Sequence, residues 1–149
     1  MMLADAISMS LVLAFAVPVV AFMLGGDTWW LWLLGALIFI NFAVEGVKPL
    51  FSTEPPFGRP AGAKACDIFC MGGAVGGAPG CPSGHMANTT LFVASLCYRY
   101  PSFGWIGVPW IAAMGWSRWI KQCHNLTQIG GGLITGLISA ALLCAIAPR

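Results

Sequence analysis

Two histidines and two arginines carry most of the chemistry this sequence can offer. His85 closes the stretch Pro82-Ser83-Gly84-His85, and His124 ends the stretch that runs from Ser117-Arg118. Arg59-Pro60 closes a segment that opens at Lys48. Each segment begins or ends an apolar run. Ser83 is a favoured helix N-cap residue, so His85 falls in a first turn. There the free N–H groups and the helix dipole favour an anion. Arg59 and Arg118 can grip phosphate oxygens in fork geometry. Two histidines beside such a cradle supply a nucleophile and a proton donor. This combination suits phosphoryl transfer without a metal or other cofactor. The nearby carboxylates, Glu54 and Asp67, stand alone in the sequence and make no metal-binding cluster.

These residues must be positioned by elements that belong in a bilayer. The chain has 149 residues, enough for one domain, of which 58% are hydrophobic and 8% charged. Soluble domains carry roughly 25% charged residues, so this composition reads as an integral membrane protein. The net charge of +2 comes without a basic run, which gives no reason to expect nucleic acid as a partner. The first ten residues hold Asp5 and no Lys or Arg. They lack the positive region of a signal peptide, and residues 4–24 are expected to be a first membrane helix, with Pro18 as a kink.

Four more helices are expected, over 28–47, 83–98, 104–116 and 125–146. Trp29, Trp30 and Trp32 suit an aromatic belt at the start of the second. Gly132 and Gly136 give the last a GxxxG face for close helix contact. Glu45 lies three residues before Lys48 and can pair with it. Between Lys48 and Pro82 the membrane pattern stops, with six prolines and seven glycines, and a loop of that length is usually functional. The expected fold is therefore all-α, an integral membrane bundle of about five transmembrane helices in one domain over 1–149. Five crossings put the 48–82 and 117–125 loops on one face. Lys48, Arg59, Lys64, Arg118 and Lys121 then share that face with both histidines, leaving Arg99 and Arg149 on the other. The positive-inside rule would make this face cytoplasmic. Cations selected to bind phosphate weaken that inference, so sidedness stays open.

The three segments resemble the signature of the type 2 phosphatidic acid phosphatase (PAP2) superfamily, whose motifs run K-x6-R-P, P-S-G-H and S-R-x5-H-x3-D. The resemblance spans roughly 48–128. Pro82-Ser83-Gly84-His85 and Ser117-Arg118-x5-His124 match in full, and Arg59-Pro60 matches the end of the first motif. Two positions depart from the pattern. Ser52 stands where the motif has lysine, which leaves Lys48 or Lys64 to replace it. Gln128 stands where the motif has an acid. A glutamine there resembles the dolichyl-diphosphatase branch, and the 59–86 loop resembles PAP2-like proteins of large DNA viruses. The resemblance implies a metal-independent phosphatase acting on a lipid phosphate or polyprenyl diphosphate in the bilayer. It implies that His124 attacks phosphorus and that His85 protonates the leaving oxygen and then activates water. Ser83, Gly84, Arg59 and Arg118 would hold the equatorial oxygens, with Lys48 or Lys64 beside them. Gln128 would accept from the His124 Nδ1–H.

Other readings of the same residues remain. Arg59 and Arg118 can serve as topology anchors. Cys66, Cys70, Cys81 and His85 have a spacing that can bind zinc. A disulfide within Cys66, Cys70 and Cys81 is the expectation if the loop faces an oxidising space. Cys97, Cys123 and Cys144 read as small apolar residues. A non-catalytic membrane protein on the same fold is the alternative from a different class, and Ser52 and Gln128 are the residues that favour it.

Overall fold

The apolar runs set the helices. The computed structural model describes residues 2–64 and 72–148. Among the described residues six α-helices follow one another: α1 Met2–Met9, α2 Leu11–Met23, α3 Trp29–Val47, α4 Gly84–Arg99, α5 Gly104–Ile120 and α6 Leu126–Ile146. Short 3₁₀ turns, Lys48–Leu50 and Pro101–Phe103, follow α3 and precede α5. Among the described residues there is no β-strand. The described part of the long loop carries two isolated antiparallel bridges, Gly58 with Pro79 and Lys64 with Ala74. The all-α expectation holds. The stretches Leu3–Met23, Trp29–Leu50 and Leu126–Ile146 are long and apolar enough to cross a membrane. At 16 and 17 residues, α4 and α5 span roughly 24–26 Å at 1.5 Å per residue, less than a hydrocarbon core of ~30 Å.

Helix α4 is the hub, packed against α6, α5, α3 and α2. Its buried residues run unbroken from His85 to Val93 and include the polar Asn88, Thr89 and Thr90. The outer helices show the reverse pattern: Phe39, Phe42, Trp105 and Ile134 are exposed. Polar groups inside an apolar shell are what a bilayer solvent selects. At the end away from the histidines, Arg99 pairs with Asp27 and lies over the Trp29 ring at 4.8 Å, joining the 25–28 and 99–103 turns.

The α4–α6 contact depends on the two glycines of the GxxxG face. A Cβ on Gly132 would stand 2.5 Å from the Ser83 carbonyl oxygen, and one on Gly136 would stand 2.6 Å from that of Ala87. Backbone cannot move aside as a side-chain tip can. Gly136→Ala should therefore destabilise the bundle by about 1–3 kcal/mol, the usual range for overpacking. The check is the detergent melting temperature beside Gly130→Ala, where an added Cβ meets nothing within 4 Å. Equal melting temperatures would contradict this packing.

Two boundaries differ from expectation. The first apolar stretch is not one helix, and its interruption is at Ser10 rather than Pro18, which lies inside α2. The Ser10 hydroxyl donates to the Ile7 carbonyl at 2.6 Å and accepts from Trp110 Nε1 at 2.8 Å. Back-bonding of this kind loosens a helix locally. The fourth helix continues through Ile120, so Ser117 and Arg118 lie on its last turn, not in a loop.

Candidate active site

One end of the bundle gathers the N-termini of α4 and α6, the C-termini of α3 and α5, and the connecting segments 51–64 and 72–82. The turn after α5 is closed by Gln122, which adopts the left-handed region at φ 53°. This lets the N–H groups of Cys123 and His124 fold back onto the Arg118 carbonyl at 3.1 and 3.4 Å. Asn125 then caps α6 by accepting from the Gln128 N–H at 3.0 Å. His124 is thus held between two helix ends, 5% exposed.

His124 Nδ1 lies 2.9 Å from Gln128 Oε1. The other end of that amide fixes its orientation. Gln128 Nε2 donates to the carbonyls of Gly58, Phe57 and Pro56 at 2.7, 3.0 and 3.3 Å. Three acceptors demand the NH₂ group, so Oε1 must face His124. A carbonyl oxygen only accepts, and Nδ1 therefore carries the ring proton. Nε2 is left with its lone pair. Burial first, then the positive charges of Arg59, Lys48 and Arg118, push the His124 pKa from 6.5 down to about 3, against a smaller upward pull from the Gln128 bond. The ring is neutral throughout the physiological range.

Ser83 occupies the N-cap position of α4 with extended backbone, but its hydroxyl makes no capping bond. Instead Ser83 Oγ is buried without a partner, as are His85 Nε2 and Arg59 Nε. Unpaired buried polar atoms are costly. Three of them, from a helix N-cap, its first turn and an arginine, fit the needs of an oxyanion. Arg59 is brought close by Gly80, where an added Cβ would stand 2.7 Å from both Arg59 Cγ and Gln128 Oε1. Arg118 is fully buried, with Nε 3.4 Å from Ser117 Oγ. His85 is close enough to feel the charges of Arg118, His124, Lys121 and Lys48. A cavity of about 380 Å³, lined in part by Pro60, Trp119, Gln122 and His124, opens beside the ring.

The two candidate lysines part company. Lys48 is buried, acts on both histidines and pairs with Glu45. Lys64 is exposed, on its bridge to Ala74, and is not among the charges acting on either histidine. The structure thus brings His85, His124, Gln128, Arg59, Arg118, Ser83, Gly84 and Lys48 to one place, and Lys64 not. Sequence reasoning paired Glu45 with Lys48 without seeing where the pair sits. The Glu45 carboxylate also acts on Arg59 and would lie 3.9 Å from a Cβ on Gly84. It balances the cationic cradle. Asn125 was missed as a cap, although its spacing to Gln128 is a capping pattern.

The cysteine readings change. Cys123 is disulfide-bonded rather than a small apolar filler. Cys81 is a buried free thiol, which removes it from the expected loop disulfide, and Cys97 and Cys144 are free thiols as well. Cys66, Cys70 and Asp67 lie outside the described residues, and the zinc reading falls mainly on them. Among the described residues no three of His, Cys, Asp and Glu gather as metal ligands.

Gln128 gives a prediction. Gln128→Glu would set a carboxylate against three carbonyl oxygens and beside the ring, which favours imidazolium and raises the His124 pKa. A histidine that acts as a nucleophile must be neutral, so activity that depended on His124 in that role would be lost as pH falls through that pKa. The acidic limb of log(kcat/KM) against pH should therefore move up by about one unit or more in the Glu variant. Gln128→Leu should lose roughly 10²-fold in rate, because nothing then fixes the tautomer. An unmoved limb in one and full activity in the other would show that Gln128 does not govern His124.

The comparison with known proteins gives one match. The family model described as the PAP2 superfamily covers residues 29–149. No curated protein and no solved structure matches the chain.

Proposed function

Because the chain belongs to the PAP2 superfamily, a phosphatase-type family, we propose that it is a membrane-embedded hydrolase of lipid phosphates or lipid diphosphates that works through a phosphohistidine at His124. The observation that carries this reading is the Gln128 amide, held by three carbonyls so that the His124 proton stays on Nδ1. Nε2 attacks phosphorus. Arg59, Arg118, Lys48, the Ser83 hydroxyl and the α4 first-turn N–H groups take the charge that builds on the equatorial oxygens. The dianionic substrate supplies the negative charge that favours protonated His85, which gives its proton to the leaving oxygen. His85 then accepts a proton from water as it attacks the phosphohistidine.

An apolar shell with a polar end suits a substrate whose head enters the site while its tail stays in lipid. The proposed topology has five crossings, α1 with α2 making the first, and the site at one membrane face. The His124-x3-Gln128 pattern resembles the dolichyl-diphosphatase branch and puts polyprenyl diphosphates among the first substrates to test. The non-catalytic reading rested on Ser52 and Gln128. Its grounds weaken when Lys48 fills the cationic place and Gln128 can hold the tautomer as an acid would.

The test is phosphate release from lipid phosphates and polyprenyl diphosphates by the purified full chain in detergent. Activity should survive EDTA and be blocked by vanadate, whose trigonal form resembles the phosphoryl group in transfer. Loss of activity in EDTA with recovery on adding magnesium or zinc would overturn this mechanism.

A further inference from the structure

Residues 1–28 lie outside the stretch that matches the family, yet α1 reaches the proposed phosphate site. α1 packs against α5, and their paired residues run in opposite chain directions. Among the described residues, three polar links join the segment of α1 and Ser10 to α5 and the residue that follows it. Asp5 Oδ1 lies 2.5 Å from Lys121 Nζ. Ser8 Oγ accepts a hydrogen bond from Arg118 Nη2, and Ser10 Oγ accepts from Trp110 Nε1. Ser8 and Arg118 are both 0% exposed. An apolar crossing helix had no need of a buried serine at this point.

We propose that Ser8 is a positioning residue for substrate phosphate, holding the Arg118 guanidinium in the orientation that receives the phosphoryl oxygens. This rests on the reading of Arg118 as a phosphate ligand. An arginine side chain has many rotamers, and its value as a fork depends on having one plane fixed in advance. Ser117 Oγ meets Nε on the α5 side. Ser8 meets Nη2 from the other helix. A hydroxyl fixes this plane as a neutral acceptor. A carboxylate in its place would also hold the guanidinium but would take up its charge and compete with the incoming anion.

The test uses the full chain in detergent, with vanadate as probe, and reads vanadate affinity from tryptophan fluorescence, kcat and KM from phosphate release, and the melting temperature. Ser8→Ala should weaken vanadate binding and raise KM by about tenfold, the effect of one lost hydrogen bond to a charged group. Ser8→Thr, which keeps the hydroxyl, should restore both. Ser8→Asp should weaken vanadate binding further than alanine does while melting no lower than Ser8→Ala. Ser10→Ala removes the Trp110 and Ile7 bonds of that hydroxyl but leaves the Ser8–Arg118 contact, and should lower the melting temperature with vanadate affinity unchanged. Wild-type vanadate affinity in Ser8→Ala, or a loss in Ser8→Ala that Ser10→Ala matches in step with melting, would overturn the proposal while phosphatase activity stands. Wild type that releases no phosphate, with vanadate affinity still set by Ser8, would sink the phosphatase reading and support this one. Wild type that binds no vanadate overturns both.

Discussion

His124→Ala should reduce phosphate release by roughly four orders of magnitude or more, the scale seen when a covalent nucleophile is removed. The expectation follows from the ring's surroundings. Nδ1 is committed to Gln128 Oε1, and the pKa of about 3 keeps Nε2 unprotonated. No other described side chain in the cluster pairs an unprotonated nitrogen with such an anchor. Residual activity within tenfold of wild type would mean that phosphorus is attacked by some other group. The melting temperature should fall little, because the 121–124 turn is closed by the backbone bonds to the Arg118 carbonyl, which alanine keeps.

His85→Ala should cost about 10²–10⁴-fold on a lipid phosphate, the usual contribution of a positioned general acid. It should cost far less in the phosphorylation step with p-nitrophenyl phosphate. An alkoxide leaving group needs a proton, whereas p-nitrophenolate is already a weak base. Burst kinetics separate the two steps: the variant should still produce a burst of p-nitrophenolate, followed by slow turnover, because the proposed role of His85 includes activating the water. The premise is geometric. His85 sits in the first turn of α4, buried, with Nε2 unpartnered, as is the hydroxyl of Ser83 at the N-cap of the same helix. Equal losses on both substrates, without a burst, would remove His85 from the role of acid.

The helices were legible in the sequence because their signal is local. Long apolar runs, Trp29 at a helix start and the Gly132–Gly136 spacing need no knowledge of partners. The motif residues were legible because helix ends place His85, Arg118 and His124 by short-range rules. What escaped depends on contacts across the fold. The place of α1 rests on Ser8 and Ser10 meeting Arg118 and Trp110 on α5, about a hundred residues on. The choice of Lys48 over Lys64 rests on how the loop returns to the bundle. Gln128 read as a lost charge, since spacing shows only its His124 side and not the three carbonyls on the other. The Ser83 hydroxyl left free of its cap, and the Cys123 disulfide, were likewise invisible to composition and spacing.

The central claim is that His124 carries the phosphoryl group. The most direct measurement is acid-free trapping of the full chain with a ³²P-labelled substrate, followed by peptide mapping. The label should appear on the peptide containing His124, be stable to alkali and lost in acid as a phosphohistidine is, and be absent from His124→Ala. It should accumulate in His85→Ala, where hydrolysis of the intermediate is slowed. An active wild-type protein that releases phosphate with no label on His124, or with the label on another residue, would contradict it.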